Sequence, residues 1–530
     1  MIPTDSHNLL QSLQNPALYT HPTMEFRLIE THISWVLLTG MYAYKIVKPL
    51  NLGFLDFSDL EKRYRYCFEE LRLNRRLAGT LYVEVVPICG TAVQPCLGGY
   101  GPAFEYSIKM RQFEQHAIFE QLLEDDQLTT MLVKRAAEKI AHFHRTLICS
   151  PDGAVYGTPD EVLKPVRENF DQLEQIDNIG KNDVLQELAN WSEQEFRSAS
   201  SLLRERKSAG FIRACHGDLH LGNIALIDGE VVPFDGIGFN PSLYWIDVIS
   251  EVAFLVMDLA DHQRLDLAFQ FLNSYLEITG DYGGLRLLPF YLVYRAMVRA
   301  KISAIRASQE TEEKAFQKDI ALYHDYLELA VQYTRSRRPF LLLMHGVSAS
   351  GKSWLSEQII NHVPAVRLRS DVERKRIYRL PLRGYPGTQD AEILYSSEAN
   401  TKTYIRLLQL TRGILQAGCN VIVDAAFLKK EERRIFLQLG EEQNLPVHIV
   451  STTGSREILL QRLRRRARER DNVSDADQLV LEEQLRTREP LTAEERQKAI
   501  IIDTENTEQV NSLWQAGGKG LRIFSSPEGD

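Results

Sequence analysis

The run Gly346-Val-Ser-Ala-Ser-Gly351-Lys352-Ser353 constrains this chain more than any other feature. It stands between an apolar stretch, FLLLMHG from Phe340, and a helix-patterned segment, Lys352–His362. Glycines let backbone N–H groups converge on a small anion, and a helix starting at the lysine adds unpaired N–H groups and a favourable dipole. The run fits G-x-x-x-x-G-K-[ST] in the strand–loop–helix setting that pattern requires. Gly346, Ser348, Ala349, Ser350 and Gly351 would cradle the phosphates of ATP. Lys352 would reach the β- and γ-phosphates, and the Ser353 hydroxyl would bind Mg²⁺.

The chain that follows has the alternation such a loop needs. Strand-like runs AVRLRSD, NVIVDAAF, VHIVSTT and KAIIIDT alternate with helical patterns at Asp390–Ala417, Lys429–Asn444 and Arg456–Arg470. This predicts an α/β domain with right-handed crossovers and a parallel sheet covered by helices. Asp371 is read as ending the second strand, where ligands sit in open α/β sheets. It would serve as the base for an attacking hydroxyl, or as the N-cap of Val372–Tyr378. Arg374, one turn later, would clamp the acceptor or sit on a solvated face. Asp424 follows the apolar Val421–Val423, the pattern of a carboxylate that orients Mg²⁺. Six arginines fall between Arg462 and Arg470. On a helix Arg462, Arg466 and Arg470 share one face, which suits a lid closing over transferring phosphates. These segments resemble the small P-loop kinases that include polynucleotide 5′-kinases, zeta toxins and gluconate-kinase-like enzymes. The resemblance covers most of 339–505 and implies phosphoryl transfer to a hydroxyl.

A second constellation lies upstream. In His216-Gly217-Asp218-Leu-His220-Leu-Gly-Asn223, Asp218 and Asn223 have the spacing of a kinase catalytic loop. There the aspartate takes the hydroxyl proton and the asparagine holds Mg²⁺. Asp235 in PFDGIGFNP ends a hairpin, NIALI and EVVPF joined by Asp228-Gly229, where a second metal carboxylate would stand. YAYKIVK offers Lys45 as the phosphate-positioning strand lysine, with Lys48 on the opposite face as the competing choice. On the helix Leu60–Leu77, Glu70 is preferred to Glu69 as its partner, because Leu73 and Leu77 would turn that face inward. These residues resemble the aminoglycoside phosphotransferase family, over about 30–280. The likeness implies a two-lobed protein-kinase-like α+β fold and a structural role for Asp247 in WIDVISE. Two runs depart from the family: LLTGMY keeps only Gly40 of the nucleotide-covering loop, and FDGIGFN lacks the usual run after the aspartate. The order of the whole chain resembles bacterial fusions of such a domain with a P-loop kinase.

Thr334–Pro339, TRSRRP, is the expected boundary, dividing an aminoglycoside phosphotransferase-like domain, 1–334, from a P-loop domain, 335–530. Charge changes sign there. The chain has 62 Lys+Arg against 71 Asp+Glu, net −9. Residues 335–530 carry 31 basic and 26 acidic residues, net +5, which leaves net −14 for 1–334. The acidic half would favour a cationic small-molecule acceptor and the basic half an anionic one, as biases of association. A polynucleotide 5′-hydroxyl is the less favoured acceptor, since no aromatic platform accompanies the arginines. The six cysteines show no CxxC pairing, so neither disulfides nor zinc is indicated. Without a signal-like start or a ~20-residue apolar run, a cytoplasmic protein is expected. The reading is a bifunctional ATP- and Mg²⁺-dependent phosphotransferase acting on small-molecule hydroxyls. Its alternative is a regulatory protein with one degenerate kinase domain.

Overall fold

The structure is a computed structural model that describes residues 4–31, 33–51, 55–176, 183–310, 312–336, 338–382, 394, 396–466 and 478–513. By packing, the chain forms two compact units. The first comprises Met1–Arg135, His142–Lys181 and Ser192–Asp258; the second comprises Ala136–Ala141, Asn182–Trp191 and Leu259–Asp530.

The first unit opens with a six-stranded antiparallel sheet. Its spatial order is Arg27–Glu30, Ser34–Leu38, Tyr42–Val47, Ala103–Arg111, Tyr82–Thr91 and Gln94–Leu97. Alternation along Tyr42–Val47 sends Tyr44 and Ile46 into one core with Leu9, Leu13 and Trp35. Val47 goes to the other face, where Tyr66, Cys67 and Leu71 of the helix Leu60–Ala78 pack against Ile108 and Tyr82. Asp59 caps that helix by accepting the Lys62 N–H. Beyond the sheet the chain turns largely helical. The hairpin Ile224–Ile227/Glu230–Pro233 and a short pair, Ile212–Ala214 with Trp245–Asp247, carry the loops that matter. The first unit is thus a β-rich lobe followed by helices that enclose a hairpin.

The second unit contains a five-stranded parallel sheet. Its order is Val366–Arg369, Val421–Asp424, Leu341–His345, Val447–Thr453 and Ala499–Asp503. Central Leu341–Met344 is fully buried, as a parallel strand covered on both faces must be. The packing units divide the chain differently from the expected cut at 334/335, because helices upstream of it group with this sheet. Helix Leu265–Thr279 covers the edge strand Val366–Arg369. Asn273 Oδ1 accepts from the Arg367 N–H at 2.6 Å, and Asn273 Nδ2 donates to the Ala365 carbonyl at 2.9 Å. An edge strand's exposed backbone groups are thereby satisfied by a side chain. Helices Leu288–Gln309 and Glu313–Thr334 pair with each other next in sequence.

Several expected bounds shift. The run AVRLRSD stops being a strand at Arg369, and Ser370–Ile377 is a helix. Asp371 therefore sits in that helix's first turn rather than at a strand end, and the cap position is Arg369, which makes no side-chain capping bond. The helix expected from Asp390 begins at Ser397, capped by Ser396; residues 383–393 and 395 lie outside the described residues. The basic helix is described over Arg456–Arg466, and residues 467–470 lie outside the described residues. Among the described residues no helix is long and apolar enough to cross a membrane.

Asn273→Leu leaves the Arg367 N–H and the Ala365 carbonyl buried without partners. The expected cost is about 1–3 kcal/mol, read by calorimetry as a lower melting temperature of the second unit. Melting indistinguishable from wild type would refute the role of this side chain in sealing the sheet edge.

Candidate functional site

In the second unit the loop leaves its strand through strained backbone. Gly346 has φ 143°, Ala349 φ 63° and Gly351 φ 97°. A Cβ on Gly346 would stand 2.6 Å from the Thr452 carbonyl oxygen, so only glycine fits there. Ser350 is buried and shares a 2.7 Å hydroxyl contact with Thr452. The loop's own groups are already in use. Lys352 Nζ donates to the Val347 carbonyl at 2.9 Å, and the Ser348 N–H donates to Gln484 Oε1 at 2.6 Å.

Ser348, Ala349, Gly351, Lys352, Ser353, Asp371, Arg374 and Asp424 all line one cavity of about 610 Å³. Asp371 Oδ1 lies 3.3 Å from Arg374 Nη1, and Arg374 Nη2 lies 3.3 Å from Asn400 Oδ1. Asn400 Nδ2 in turn donates to Glu432 Oε1 at 2.8 Å. One wall thus alternates carboxylate, guanidinium, carboxamide and carboxylate, a surface suited to polar groups of an acceptor. Asp424 Oδ2 is 3.4 Å from the Ser356 hydroxyl and 3.9 Å from Arg369 Nε. Ser353 and Asp424 supply hard oxygen ligands of the kind Mg²⁺ takes, and a glycine-lined loop leaves room for phosphates beside them.

Of the arginines expected to share one face, Arg462 is paired rather than free. Arg462 Nη1 donates to the Ala349 carbonyl at 3.2 Å and to Thr504 Oγ1 at 2.8 Å. It therefore braces the back of the loop and is not among the cavity-lining residues. The Arg466 side chain and Arg470 lie outside the described residues.

In the first unit Lys45 Nζ lies 2.8 Å from Glu70 Oε1 and also contacts Asp235. Burial alone would depress this ammonium. The Asp235 and Glu70 carboxylates outweigh burial and hold it well above its ordinary value. The competing residues go elsewhere: Lys48 pairs with Glu30, and Glu69 with Arg72. Asn223 Nδ2 donates to Asp218 Oδ2 at 3.1 Å and to the Asp218 carbonyl at 3.0 Å. That orientation leaves the amide oxygen as the ligand atom for a cation. Lys45, Asn223 and Asp235 line a second cavity, of about 190 Å³, whose other walls include Val36, Leu38, Ala43, Leu81 and Met110. An apolar slot closed by a lysine and two oxygen ligands suits a planar base with its phosphates.

The two loops are held from behind. His216 Nε2 donates to the Phe234 carbonyl at 2.9 Å, and burial keeps the imidazole pKa below its usual value. Asp235 sits at φ 61°, with its N–H given to the Tyr82 hydroxyl at 3.1 Å. Asn74 bonds both the N–H and the carbonyl of Gly236, at 2.7 and 3.2 Å. Asp247 holds Arg206 with a two-pronged contact at 2.7 and 2.8 Å. The Gly217 N–H donates to Glu251 at 2.7 Å, and Glu251 also takes His144 at 2.8 Å. The turn at Gly40 is tied down as well. The N–H groups of Thr39 and Gly40 both donate to Gln112 Oε1, at 3.1 and 2.9 Å.

Sequence reasoning missed Asn400, Glu432, Gln484, Asn74, Glu251 and Gln112. Each acts through a partner at least 26 residues away. None carries a local motif; Glu251 alone stood in a run that had been singled out, one turn beyond Asp247.

Residues 341–491 match the family model described as an AAA domain. Two mycobacterial proteins, Mb2027c of Mycobacterium bovis and Rv2004c of Mycobacterium tuberculosis, both described as uncharacterized, are each 28% identical over 440 residues. The alignment covers 83% of this chain and 86% of each of theirs. Among solved structures, a choline kinase from Cryptosporidium parvum is similar over 62% of this chain and 96% of its own, with 11% identity and a TM-score of 0.38. A gluconokinase from Sinorhizobium meliloti is similar over 36% and 99%, with 20% identity and a TM-score of 0.24. Kti12 from Chaetomium thermophilum, solved with ADP-AlF3, is similar over 35% and 100%, with 14% identity and a TM-score of 0.26.

Two outcomes follow at the loop. Gly346→Ala forces a Cβ against Thr452 and is expected to weaken ATP binding at the loop at least tenfold, measured by calorimetry; binding equal to wild type would contradict the cradle. His345, beside the loop, has Nδ1 2.8 Å from the Ser451 hydroxyl. Burial, aided by Arg433 and Lys352, pushes its pKa down to about 4. The unfolded chain takes up this proton near pH 6.5. The group's contribution is therefore complete above about pH 6.5 and is lost as pH falls toward 4. Melting temperature is expected to drop across that window, and His345→Gln to flatten the drop.

Proposed function

We propose that the protein is a bifunctional, ATP-dependent phosphotransferase, with each unit transferring the γ-phosphoryl group to a hydroxyl of a small molecule. The observation that carries this reading is the gathering of Gly351, Lys352, Ser353, Asp371, Arg374 and Asp424 around one cavity of the second unit. In that cavity the loop N–H groups and Lys352 bind the phosphates, and Gln484 gives up the Ser348 N–H to them. Asp371 accepts the proton of the attacking hydroxyl, and Arg374, held between Asp371 and Asn400, orients the acceptor. Ser353 and Asp424 would hold Mg²⁺, which neutralises charge developing on the phosphates. In the first unit Lys45, set by Glu70, positions phosphates. There Asp218 acts as base, while the Asn223 amide oxygen and Asp235 are the cation ligands.

The proposed division of labour is 1–334 for the kinase-like activity and 335–530 for the loop-dependent one, with 259–334 supplying structural support to the latter. Opposite net charges of the two halves support a cationic acceptor for the first and an anionic one for the second. A cytoplasmic setting fits the scattered free thiols. A specific observation favours a second reading for the first unit: the turn N–H groups that would cover phosphates are given to Gln112. That unit would then bind nucleotide without transferring phosphate and would act as a sensor.

Lys352→Ala and Asp218→Asn are expected to abolish separate phosphorylation activities in a metabolite screen with labelled ATP. Loss confined to Lys352→Ala favours the sensor reading of the first unit. If neither variant lowers any transfer, the phosphotransferase reading is wrong. Label transferred to 5′-hydroxyl oligonucleotides at low salt would redirect the second site to a polynucleotide acceptor.

A further inference from the structure

Glu277 lies on the helix Leu265–Thr279, upstream of the segment that matches the AAA-domain model. It is the meeting point of two arginines from the strand Val366–Arg369. Arg367 Nη2 lies 2.9 Å from its Oε1, and Arg369 Nη1 lies 3.3 Å from its Oε2. Arg369 also faces the phosphate-loop cavity, with its Nε 3.9 Å from Asp424 Oδ2. Its guanidinium is therefore shared between two carboxylates and is nearer to Glu277. Arg367 extends the same network to the loop helix, with Nη1 3.3 Å from the Ser353 carbonyl and 3.4 Å from the Ser356 hydroxyl. Arg376 completes it by donating to the Glu277 carbonyl at 2.6 Å. Asn273 pins the same helix to the same strand one turn earlier.

A guanidinium so close to a cation-binding carboxylate is a competitor for it. A bidentate arginine–carboxylate pair is strong and would occupy the oxygens that a metal needs. We propose that Glu277 is a positioning residue of the phosphate-loop site, holding the Arg369 guanidinium off Asp424 so that this carboxylate stays open to a divalent cation. This inference rests on the reading of Asp424 as a cation ligand. It assigns part of the loop site's metal affinity to a helix outside the segment matched by the family model. Arg369 still contributes positive charge to the cavity wall beside Asp371, but from a fixed distance.

The test uses the full chain and reads binding as well as turnover. Calorimetric titration with ATP at a series of Mg²⁺ concentrations isolates the component that Lys352→Ala removes. Glu277→Gln keeps the shape and removes the charge. It is expected to raise the Mg²⁺ concentration needed for half-maximal ATP binding about tenfold, while binding of ADP without Mg²⁺ stays as in wild type. Arg369→Leu in the same chain removes the competitor, so the double variant is expected to regain a wild-type Mg²⁺ requirement. A merely structural Glu277 would not be rescued in this way. Arg369→Leu alone covers the case in which Glu277→Gln does not fold; it is expected to leave the Mg²⁺ requirement equal to or lower than wild type. An unchanged requirement in Glu277→Gln overturns the proposal. So does a double variant as impaired as the single one, or a raised requirement in Arg369→Leu alone. Wild-type protein with no Lys352-dependent, Mg²⁺-dependent ATP binding overturns the underlying reading of the loop site instead, and the proposal with it.

Discussion

A carboxylate in a partly buried wall stays ionised only when a base or another polar partner offsets the cost of its burial. In each unit a basic side chain set between two acidic or polar partners does this, once in the first and twice in the second. Lys45 lies between Glu70 and Asp235, Arg369 between Glu277 and Asp424, and Arg374 between Asp371 and Asn400. Burial raises the cost of an unpaired charge, so each acid needs its base; sharing the base leaves the inner carboxylate with oxygen atoms to spare. The inner carboxylates differ in how close the base comes: Lys45 contacts Asp235 directly, whereas Arg369 stays 3.9 Å from Asp424.

The backbone work is done differently in each. The second unit sets Gly346, Ala349 and Gly351 at positive φ in its loop, with Ser350, Thr452 and Arg462 bracing it from behind. The first unit relies on side chains that lock loops to the body of the fold. Asn74 closes on Gly236, Glu251 on Gly217, and His216 on the Phe234 carbonyl. Its turn at Gly40 is fastened by Gln112, where a phosphate-covering loop would keep those donors available.

Much of the architecture was legible because it rests on local pattern. The apolar runs at Leu341–His345 and Val421–Asp424, the Asp228-Gly229 turn and the glycine loop each sit in their own segment of chain. The bounds that moved did so where local signals compete. In LRSD the apolar run ends and helix-forming residues begin at once, so Asp371 entered a helix instead of ending a strand. Of the expected arginine stripe only the Arg462 side chain is described, and it is paired rather than free. Arg462 finds its partners, Ala349 and Thr504, at separations no helical pattern encodes.

The sequence by itself determined the glycine loop, the strand–helix alternation after Phe340 and most of the candidate site residues, because these depend on residue type and short spacing. Only the tertiary structure decided how the helices before Arg335 are used. Leu265–Thr279 packs on the edge strand of the parallel sheet, with Asn273 and Glu277 satisfying that strand's backbone and its arginines. Likewise only the fold decided that Asn400 and Glu432 join Arg374, and that Glu251 holds Gly217. The physical reason is common to all of them. A buried polar group takes whichever partner the packing brings within hydrogen-bond reach, and that partner's position along the chain leaves no local trace.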